Sequence, residues 1–535
     1  MGGNGSFCVG WERERHMWKT ITPMEMKRIE NEAMGQGLCT GEELMNRAAA
    51  AVAEAVGRHG TNGPVIALCG TGNNGGDALA AMRMLAADVE GECWLMAGRL
   101  SADAQRELNR LQREQPRVRV RRLCDDDVYA QIGVLMDDQG MEMKLPERVA
   151  CLVDGLFGTG LSRKVEGVAA ALCGLASAAF DRGTPVVAVD IPSGLCGRTG
   201  QVLGTAVQAT ETVTFHRPKP GLFLGQGLDV AGKVTVADIG LGWDDAEGLW
   251  VCHGEEIQAL LPKRKRTGHK GDHGRVVFFC GSVGMAGAAA LAATAALRSG
   301  AGLVTVACPQ RILDVVQMLC PCATALPLSE NAEEAWAQLE PLLAGADALG
   351  MGCGLGQSPW AGEMVKLVLG WLSTHDLRAV VDADALNLLS RMESAALNLS
   401  RCVLTPHPGE AARLLGESIS GITADPLESA MRLHQRYGAA IVLKGAASVL
   451  VTRQGAGLNV LGTQAMGKGG SGDALTGVLC ALLAEQARLP GETDVLAVLQ
   501  AGCGLHGLAG CAAEKAFGSR GVLATDLCCH LGCMA

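Results

Sequence analysis

Two glycine-rich stretches combine small residues with an aspartate that stands at the start of an apolar helical pattern. Residues 70–77 read "GTGNNGGD", and residues 467–473 read "GKGGSGD". Glycines let backbone N–H groups approach a phosphate closely, and the start of a helix adds a partial positive charge. An aspartate in the same turn could accept a proton from a hydroxyl group. The pair therefore raises the question of whether one chain handles phosphates at two places.

The first stretch follows the apolar run "PVIALC", which places it at the carboxyl edge of a predicted parallel sheet. Its spacing differs from the GxGxxG of dinucleotide-binding folds, and no acidic residue stands convincingly at the next strand end. A tight strand-to-helix turn, with Asp77 as an early helix residue, is the alternative interpretation.

Two further strands end in polar residues that would lie on the same edge, in "VDGLFGTGLSRK" and "VDIPSG". There Asn74, Asp154 and Ser193 would offer hard oxygen ligands, which suit an alkali or alkaline-earth cation. Asp190 would face the same cleft with its carboxylate.

The second stretch lacks the GxxxxGK[ST] pattern, so it is not the phosphate loop of a P-loop enzyme. Its glycines and helix start form an anion hole that could stabilise a transferred phosphoryl group. Asp473 would then act as a base toward an attacking hydroxyl. An aspartate at this position could equally cap the helix, and the motif by itself leaves both roles open.

These stretches belong to an α/β chain of two domains. The chain has 535 residues, 48% of them apolar and 19% charged, which is too long for a single core. Continuous apolar runs alternate with helical patterns, and this alternation predicts parallel sheets covered on both faces. Helices are predicted at residues 22–36, 42–58, 77–88, 165–180 and 288–298.

Composition also bears on partners and location. The net charge of -10 disfavours nucleic acid as a partner, although a phosphorylated small molecule needs only a local patch. The 21 cysteines include no CxxC pair, and no signal peptide opens the sequence, so a cytoplasmic location is expected.

The alanine-rich run at 287–307 predicts a buried helix and strand rather than a membrane span. We expect residues 1–17 to be a frayed extension, and the basic run "PKRKR" to be a solvated linker or an attractor of phosphate.

The first block carries "GTGNNGGD", "DGLFGTGL", "VDIPSG" and "TFHRPKPGL" in that order. Over residues 18–242 it resembles the NAD(P)H-hydrate epimerase domain, a Rossmann-like parallel α/β sandwich. The resemblance implies that Asp190 is catalytic and that a potassium ion is held by Asn74, Asp154 and Ser193. It implies that the hydrated nucleotide binds Asn73, Asn74, Gly75, Gly76, Asp77, Gly158, Thr159, Gly160, Leu161, Ser162, Arg163, Lys164 and Asp190. Asn46 and Ala49 stand where the family often has Glu and Gly.

The second block carries "GHKGDHGRV", "GCGLG", "VVDADALNLL", "TPHPGE" and "VLKGAAS". Over residues 260–531, after a linker at 243–259, it resembles the ribokinase-like NAD(P)H-hydrate dehydratase domain. The resemblance implies that Ala288, Gly354, His407 and the catalytic Asp473 face the substrate. It implies that the nucleotide contacts Lys444, Gly445, Ala446, Ala447, Ser448 and Gly472. Cys353 and Ser448 replace the family's usual Pro and Thr. Asp382 and Asp384 lie near the nucleotide or only cap a helix.

The combined resemblance implies repair of hydrated NADH and NADPH. The first domain would interconvert the R and S hydrates. The second would phosphorylate the hydroxyl of the S form with ADP and eliminate phosphate, giving AMP, phosphate and NAD(P)H. Potassium, ADP as co-substrate and magnesium are expected, in a homo-oligomer without nucleic-acid or membrane partners.

Two other classes of protein remain open at this stage. One is a kinase for a small hydroxylated metabolite, because Asp473 and its anion hole would serve any such hydroxyl. The first domain counts against this class. The other is a non-enzymatic nucleotide-binding scaffold, and the intact Asp473, Asn74 and Asp190 count against it.

Overall fold

The computed structural model describes residues 18–60, 63–85, 89–242, 244–254, 256–393 and 397–534. The extension predicted at 1–17 lies outside the described residues. The chain divides into two compact units, one of Lys19–Gly248 and one that begins at Leu249 and also includes Trp18. Both units are α/β, as the sequence predicts.

The first unit contains seven strands of one sheet and seven helices among its described residues. After the short β1 (Trp18–Lys19), its elements are α1 (Pro23–Gly35), α2 (Gly41–His59), β2 (Val65–Cys69), α3 (Asn73–Met84), β3 (Gly91–Leu95), α4 (Ala102–Glu114), β4 (Arg119–Arg122), α5 (Asp126–Ile132), β5 (Cys151–Gly155), α6 (Gly167–Asp181), β6 (Val186–Val189), β7 (Glu211–Phe215), α7 (Gly227–Val230) and β8 (Lys233–Ala237).

All seven strands of this sheet run parallel, in the order β4-β3-β2-β5-β6-β7-β8. The strands β2, β3, β5, β6 and β7 are buried along their whole length, which explains the continuous apolar sequences of β2 and β6. The strand order reverses between β2 and β5, and such a reversal opens a crevice at the carboxyl edge. The loops that follow β2 and β5 therefore flank a natural ligand site.

The helix after β2 starts earlier than the sequence predicted. We expected it to begin at Asp77, but α3 begins at Asn73, with Gly72 in the N-cap position. The sequence "NNGGD" is thus the first turn of a helix rather than a loop before it. The N–H groups of Asn73, Asn74 and Gly75 have no i−4 partners within the helix, so they are open to an anion, whereas Gly76 already donates its N–H to the Gly72 carbonyl oxygen at 3.1 Å.

The second unit is built around a larger sheet. Its elements are β9 (Trp250–Cys252), α8 (Ile257–Leu260), β10 (Arg275–Phe279), α9 (Ala286–Arg298), β11 (Leu303–Pro309), α10 (Leu313–Leu319), β12 (Thr324–Leu328), α11 (Ala332–Ala344), β13 (Ala348–Met351), α12 (Pro359–Leu372), β14 (Arg378–Val381), α13 (Ala383–Leu389), β15 (Cys402–Leu404), α14 (Pro408–Leu415), α15 (Ile419–Ala424), α16 (Pro426–Tyr437), β16 (Ala440–Leu443), β17 (Ser448–Thr452), β18 (Gly455–Asn459), α17 (Ser471–Gln486), α18 (Val495–Phe517) and α19 (Ala524–Met534).

The strand order of this sheet is β1-β9-β18-β17-β16-β15-β14-β13-β10-β11-β12. The strands from β12 to β16 are parallel, and β17 and β18 add an antiparallel hairpin. The order reverses between β10 and β13, so a second crevice opens at the carboxyl edge here. The linker expected at 243–259 contains β9, which pairs with β18.

Helix packing behind the sheet places the second glycine-rich stretch. The helix α17 packs against α9, and a Cβ atom at Gly477 would lie only 2.2 Å from the carbonyl oxygen of Ala292. Glycine is therefore required for this close approach. The alanine-rich run predicted to be buried forms α9 and β11. In the described part of the chain one helix, α18, is apolar and long enough to cross a membrane, but it is a core helix with 78% of its apolar window buried.

Candidate active sites

In the first unit, a buried carboxylate lies at the strand-order reversal. Asp154 belongs to β5 and is completely buried. Ser193 donates its N–H to Oδ2 of Asp154 at 2.8 Å and its hydroxyl to Oδ1 at 2.6 Å. Burial raises the pKa of Asp154 to about 6, although the hydrogen bonds from Ser193 and Leu156 favour the charged form. No cationic side chain among the described residues forms an ion pair with this carboxylate.

Further oxygen atoms surround the same point. The Ser193 hydroxyl oxygen accepts the N–H of Phe157 at 2.8 Å and lies 3.2 Å from the carbonyl oxygen of Phe157. Asn74 lies beside Gly158, where a Cβ atom would approach its Oδ1 to 3.0 Å. The side-chain amide nitrogen of Asn74 is buried and has no hydrogen-bond partner among the described residues. One carboxylate with hydroxyl, amide and carbonyl oxygens is a ligand set that suits a hard alkali or alkaline-earth cation.

Asp190 forms a second carboxylate centre after β6. Its backbone has φ 63°, which is uncommon for a residue other than glycine and is typical of functional turns. Oδ1 of Asp190 contacts the ammonium group of Lys219, the hydroxyl of Thr214 at 3.1 Å and the N–H of Phe215 at 3.3 Å. The hydrogen bonds of the described residues leave Oδ2 free, and the side chain is 13% exposed. Asp190 can therefore present one oxygen atom to a ligand.

Sequence reasoning missed Lys219, although its motif "TFHRPKPGL" was recognised. The side chain is fully buried, and its ammonium group also donates to Thr214 Oγ1 and to the Phe215 carbonyl oxygen, both at 3.2 Å. A buried charge of this kind is stable only when it is paired and hydrogen-bonded. Lys219 and Asp190 therefore form one unit, in which each charge satisfies the other.

Two more carboxyl groups surround this pair. Burial raises the pKa of Asp77 well above its ordinary value, and the charges of Asp190 and Glu30 raise it further. Burial also raises the pKa of Glu30, as does Asp190, whereas Lys219 lowers it. The structure thus brings Asp77 and Asp190 together, as predicted, and adds Glu30 of α1, which sequence reasoning did not identify.

The predicted substrate loops line the opening of this crevice. Asn73, Gly160, Ser162, Arg163 and Lys164 are exposed, and Thr159 and Leu161 are half-buried. In contrast, Gly75 is buried, and a Cβ atom there would lie 2.0 Å from the carbonyl oxygen of Gly70. Packing alone explains that glycine. Its role toward the nucleotide, and those of the loop residues, remain predictions.

In the second unit, Asp473 lies in the first turn of α17. The N-cap position belongs to Gly470, and no side chain caps this helix. The alternative role of Asp473 as a helix cap is therefore wrong. Burial raises the pKa of Asp473 to about 6, and the charge of Asp382 raises it further, while a hydrogen bond with Cys353 and the charge of Lys444 lower it. The ligand atoms of Cys353, Asp382 and Asp473 lie within 4.8 Å of one another.

Asp382 connects the helix start to the lysine of "KGAAS". Its Oδ1 accepts Lys444 Nζ at 2.7 Å, and its Oδ2 accepts the hydroxyl of Thr476 at 3.0 Å. Glu410 lies 4.0 Å from the same Nζ. Burial opposes the charge of Lys444, but Asp382 and Glu410 outweigh it, so the pKa of Lys444 is raised. Lys444 is therefore a permanent cation at the base of this crevice.

The two aspartates of "VVDADALN" have different roles. Asp382 precedes α13 but makes no capping hydrogen bond through its side chain. Asp384 instead accepts the N–H of Gly356 at 2.8 Å and the side-chain amide of Gln357 at 3.0 Å. Asp382 thus belongs to the charged centre, and Asp384 fixes the loop after β13.

His407 has a clear local role. Its Nδ1 accepts the N–H of Gly409 at 3.0 Å, and Glu410 Oε2 accepts the N–H of His407 at 2.8 Å, so the two residues cap α14. Burial lowers the pKa of His407, and the charge of Lys444 lowers it further. The ring is about half-exposed on the crevice side, with 51% of its surface accessible. It can act as a neutral hydrogen-bonding group toward a substrate.

The remaining predicted residues lie on the loops around this centre. Gly354 has φ +58°, and a Cβ atom there would lie 2.8 Å from Cβ of Ala288, so the two residues are in contact. A Cβ atom at Gly472 would lie 3.3 Å from Lys444 Nζ. Residues 445–446 are exposed at the turn between β16 and β17. The structure therefore brings the predicted substrate and nucleotide residues to one edge, although their roles remain predictions.

One buried residue that the sequence did not single out supports this edge. Nε2 of His506, on α18, lies 2.9 Å from the carbonyl oxygen of Ser471, the first residue of α17. Burial lowers the pKa of His506 to about 4. A neutral imidazole therefore holds the start of the helix that carries Asp473.

Comparison with known proteins identifies the family of both halves of the chain. The family model described as NAD(P)H-hydrate dehydratase matches residues 276–532, and the model described as YjeF-related protein N-terminus matches residues 41–221. A bifunctional NAD(P)H-hydrate repair enzyme of Moorella thermoacetica is 36% identical over 526 residues, covering 95% of this chain and 94% of the relative. The Escherichia coli enzyme of the same name is 37% identical over 466 residues, covering 86% and 83%.

Among solved structures, an ADP/ATP-dependent NAD(P)H-hydrate dehydratase from Bacillus subtilis, co-crystallised with ATP and Mg²⁺, is 28% identical. It covers 52% of this chain and 95% of its own, with a TM-score of 0.44. The full-length relatives, by contrast, share both halves of the chain in the same order. This protein therefore belongs to the family of bifunctional NAD(P)H-hydrate repair enzymes.

Proposed function

We propose that this protein restores NADH and NADPH from their hydrates in two steps, one in each unit. The observation that carries the proposal is the presence of two chemically different sites, each at a strand-order reversal. The first combines Asp190 with a buried lysine, and the second combines Asp473 with Lys444 and a helix start. A single activity would leave one of these sites without a purpose.

In the second unit, Asp473 is the base of the dehydratase step. Because its pKa is about 6, its carboxylate is mostly ionised at neutral pH and can accept the hydroxyl proton of the S hydrate. The hydroxyl oxygen then bonds to the terminal phosphorus of ADP, and the bond from that phosphorus to AMP breaks. Phosphate leaves with its C–O bond electrons, and a proton leaves the neighbouring ring carbon, which restores the double bond.

The phosphate groups are bound by the residues around Lys444. Its cation lies next to Gly472 and at the base of the turn of residues 444–448, of which residues 445–446 are exposed. Both oxygens of Asp382 are already bound, to Lys444 and to Thr476. A magnesium ion would therefore be held chiefly by the nucleotide's own phosphates, and it would offset their charge.

In the first unit, Asp190 and Glu30 supply the acid–base groups of the epimerase step. The free oxygen of Asp190 takes the hydroxyl proton as the ring C–N bond opens, and Glu30 in its protonated form supplies a proton to the ring nitrogen. Reclosure on the opposite face reverses both transfers and gives the other epimer. The raised pKa of Glu30 supports its role as the donor.

Potassium is proposed for the site of Asp154, Ser193 and Asn74, with the Phe157 carbonyl oxygen as a further ligand. The ion would neutralise a carboxylate that is fully buried without a cationic partner among the described residues. It would also order the loop of residues 158–164, which borders Asn74. One carboxylate is fewer than a divalent ion would prefer.

A direct assay tests the whole proposal. The protein is mixed with both epimers of hydrated NADH and with ADP, and the absorbance of restored NADH is followed after subtraction of spontaneous epimerisation. We expect both epimers to be consumed and one AMP to form for each NADH restored. Consumption of ADP without NADH would identify a plain kinase, and no consumption at all would identify a scaffold.

Location and assembly are further parts of the proposal. In the described residues every cysteine is unpaired, which suits a reducing cytoplasm. We propose a homo-oligomer there, and light scattering of the purified protein would measure its mass directly.

A further inference from the structure

The second unit contains a cavity at the edge of the sheet opposite to the active-site crevice. It lies where β14, β15 and β16 begin, and its volume is about 200 Å³. Three arginines line it, namely Arg378, Arg401 and Arg453, together with His434 and a single acidic residue, Glu492. No residue of the proposed dehydratase site lines this cavity.

The positive charge of this cavity is incompletely balanced. Arg401 pairs with Asp376 at 2.7 Å, but among the described residues neither Arg378 nor Arg453 makes an ion pair or a side-chain hydrogen bond. Arg378 is half-buried at the start of β14. Burial lowers the pKa of Arg378, and so do the charges of Arg401 and Arg453, while Asp376 and Glu492 offset this only in part.

We infer that this cavity is a second anion site, which binds a group with two adjacent phosphates, such as pyrophosphate or the diphosphate of a metabolite. Guanidinium groups bind phosphate oxygens in pairs and lose less hydration than lysine does. An anion placed between Arg378 and Arg453 would replace their mutual repulsion with attraction. This inference is independent of the proposed repair reaction.

The size and place of the cavity limit what it binds. Sites for whole ligands usually measure about 300–1,000 Å³, so this cavity of about 200 Å³ suits a diphosphate group rather than a complete dinucleotide. Arg378 begins β14 and Asp382 follows its end, and four residues of strand separate the two points by about 13 Å. An anion in the cavity therefore cannot contact the reacting groups around Asp382.

The test uses the full chain with pyrophosphate as the probe, without divalent metal ions. Because the active site also attracts phosphates, the measurement is made on Lys444→Gln, which removes the active-site cation. We expect pyrophosphate to raise the Tm of this variant saturably, compared with sodium chloride of equal ionic strength. Adding Arg453→Gln should weaken the apparent affinity at least tenfold. The inference would be overturned if the apparent pyrophosphate affinity were equal with and without Arg453→Gln. It would also be overturned if pyrophosphate did not raise the Tm of Lys444→Gln.

Two controls make the result specific. Arg311→Gln removes an exposed arginine of the same unit that is paired with Glu330 at 2.6 Å, and it should leave the pyrophosphate response unchanged. At low salt and without pyrophosphate, Arg453→Gln should raise the Tm, because it removes repulsion from Arg378. A lower Tm would mean that Arg453 serves the fold and would contradict the inference. Arg453 is exposed, so this variant is expected to fold even if Arg378→Gln does not.

Discussion

Two aspartates, the buried Asp154 and the half-buried Asp473, have a similarly raised pKa in different surroundings. Asp154 and Asp473 both have a pKa of about 6, and burial is the main cause for each. Asp154 lies beside the oxygen atoms of Ser193 and Phe157 and has no cationic partner among the described residues, which is an environment that suits a bound cation. Asp473 is repelled by Asp382 and lies beside a helix start, which is the environment of a base close to bound phosphates. At the scale of single residues, the neighbours therefore decide the chemistry.

The base role of Asp473 leads to a kinetic prediction. Asp473→Asn should lower dehydratase turnover by about 10²–10⁴-fold, because that is the usual contribution of a general base. In the wild-type protein, turnover should rise with pH through about 6, since only the ionised carboxylate accepts a proton. Stopped assays with both substrates saturating, between pH 5 and 8, measure both effects.

Nucleotide affinity should stay nearly constant in Asp473→Asn and the Tm should not fall, because the amide keeps the size of the side chain, Gly470 holds the N-cap position, and a charge that burial disfavours is removed. Asp347→Asn is a suitable control, since Asp347 precedes β13 at the other edge of the sheet and pairs with Arg488 at 2.8 Å. Turnover of Asp473→Asn within a few-fold of wild type would remove Asp473 from the mechanism.

The potassium proposal predicts a stability effect that depends on pH. The folded-state pKa of Asp154 is raised, so its charge destabilises the first unit increasingly as pH rises through about 6. Potassium chloride should therefore raise the Tm of this unit more at pH 8 than at pH 5, compared with choline chloride. In Asp154→Asn the difference should disappear.

Asp137→Asn is the matched control, because Asp137 is a buried aspartate of the same unit that already pairs with Arg121 at 2.8 Å. It should retain the potassium response. A wild-type response that is equal at both pH values would show that potassium acts elsewhere.

The buried pair of Lys219 and Asp190 predicts a linked loss of stability and epimerase activity. Lys219→Met leaves the Asp190 carboxylate unpaired, and breaking a buried pair typically costs about 3–5 kcal/mol. The double variant Lys219→Met with Asp190→Asn should recover much of that stability but no epimerase activity. Chemical denaturation and conversion of the R hydrate measure the two properties. Lys233→Met, at an exposed position on β8, should change neither.

At the scale of elements, the start of α17 is the critical feature of the second unit. Gly470, with φ +95°, allows the chain to turn into the helix, and His506 holds the Ser471 carbonyl oxygen. His506→Leu removes that hydrogen bond and should cost about 1–3 kcal/mol, because a buried acceptor loses its partner. Dehydratase turnover should fall as well, because Asp473 is two residues further along the helix.

The same histidine makes stability depend on pH. Its folded pKa is about 4, against an ordinary value of 6.5, so the unfolded chain binds a proton in a range where the folded chain does not. This contribution to stability should be complete above about pH 6.5 and should decline as pH falls toward 4. Denaturation midpoints of His506→Leu should lack this part of the acid sensitivity. Identical pH profiles for the variant and the wild type would contradict the assignment.

The local sequence pattern predicts the helices and strands well, but it does not predict roles that depend on contacts between residues far apart in the chain. Apolar alternation and cap residues predict α1, α2 and α6 within two residues at either end. The same reasoning placed the start of α3 too late, because it treated glycines as loop residues. The role of Asp382 could not be decided from sequence, since Lys444 and Thr476 lie 62 and 94 residues away. Lys219 was missed because burial of a lysine is visible only in the packed unit.

At the scale of the whole molecule, the two units place their candidate sites in the same way, but the residues of the two sites differ chemically. Each has a reversal of strand order, and the polar loops of each collect at that point. The structure divides the chain between Gly248 and Leu249, so each crevice is formed within a single unit. Each unit has its own buried core, which is the requirement for independent folding.

Independent units predict a separable function. A chain cut to residues 245–535 should fold and should restore NADH from the S hydrate with ADP at a rate close to that of the full chain. It should leave the R hydrate unchanged beyond spontaneous epimerisation, because Asp190, Lys219 and Glu30 are absent. Adding Asp190→Asn to the full chain should reproduce this restriction to one epimer without shortening the chain. If the cut chain consumed both epimers at the full-length rate, the first unit could not be the epimerase.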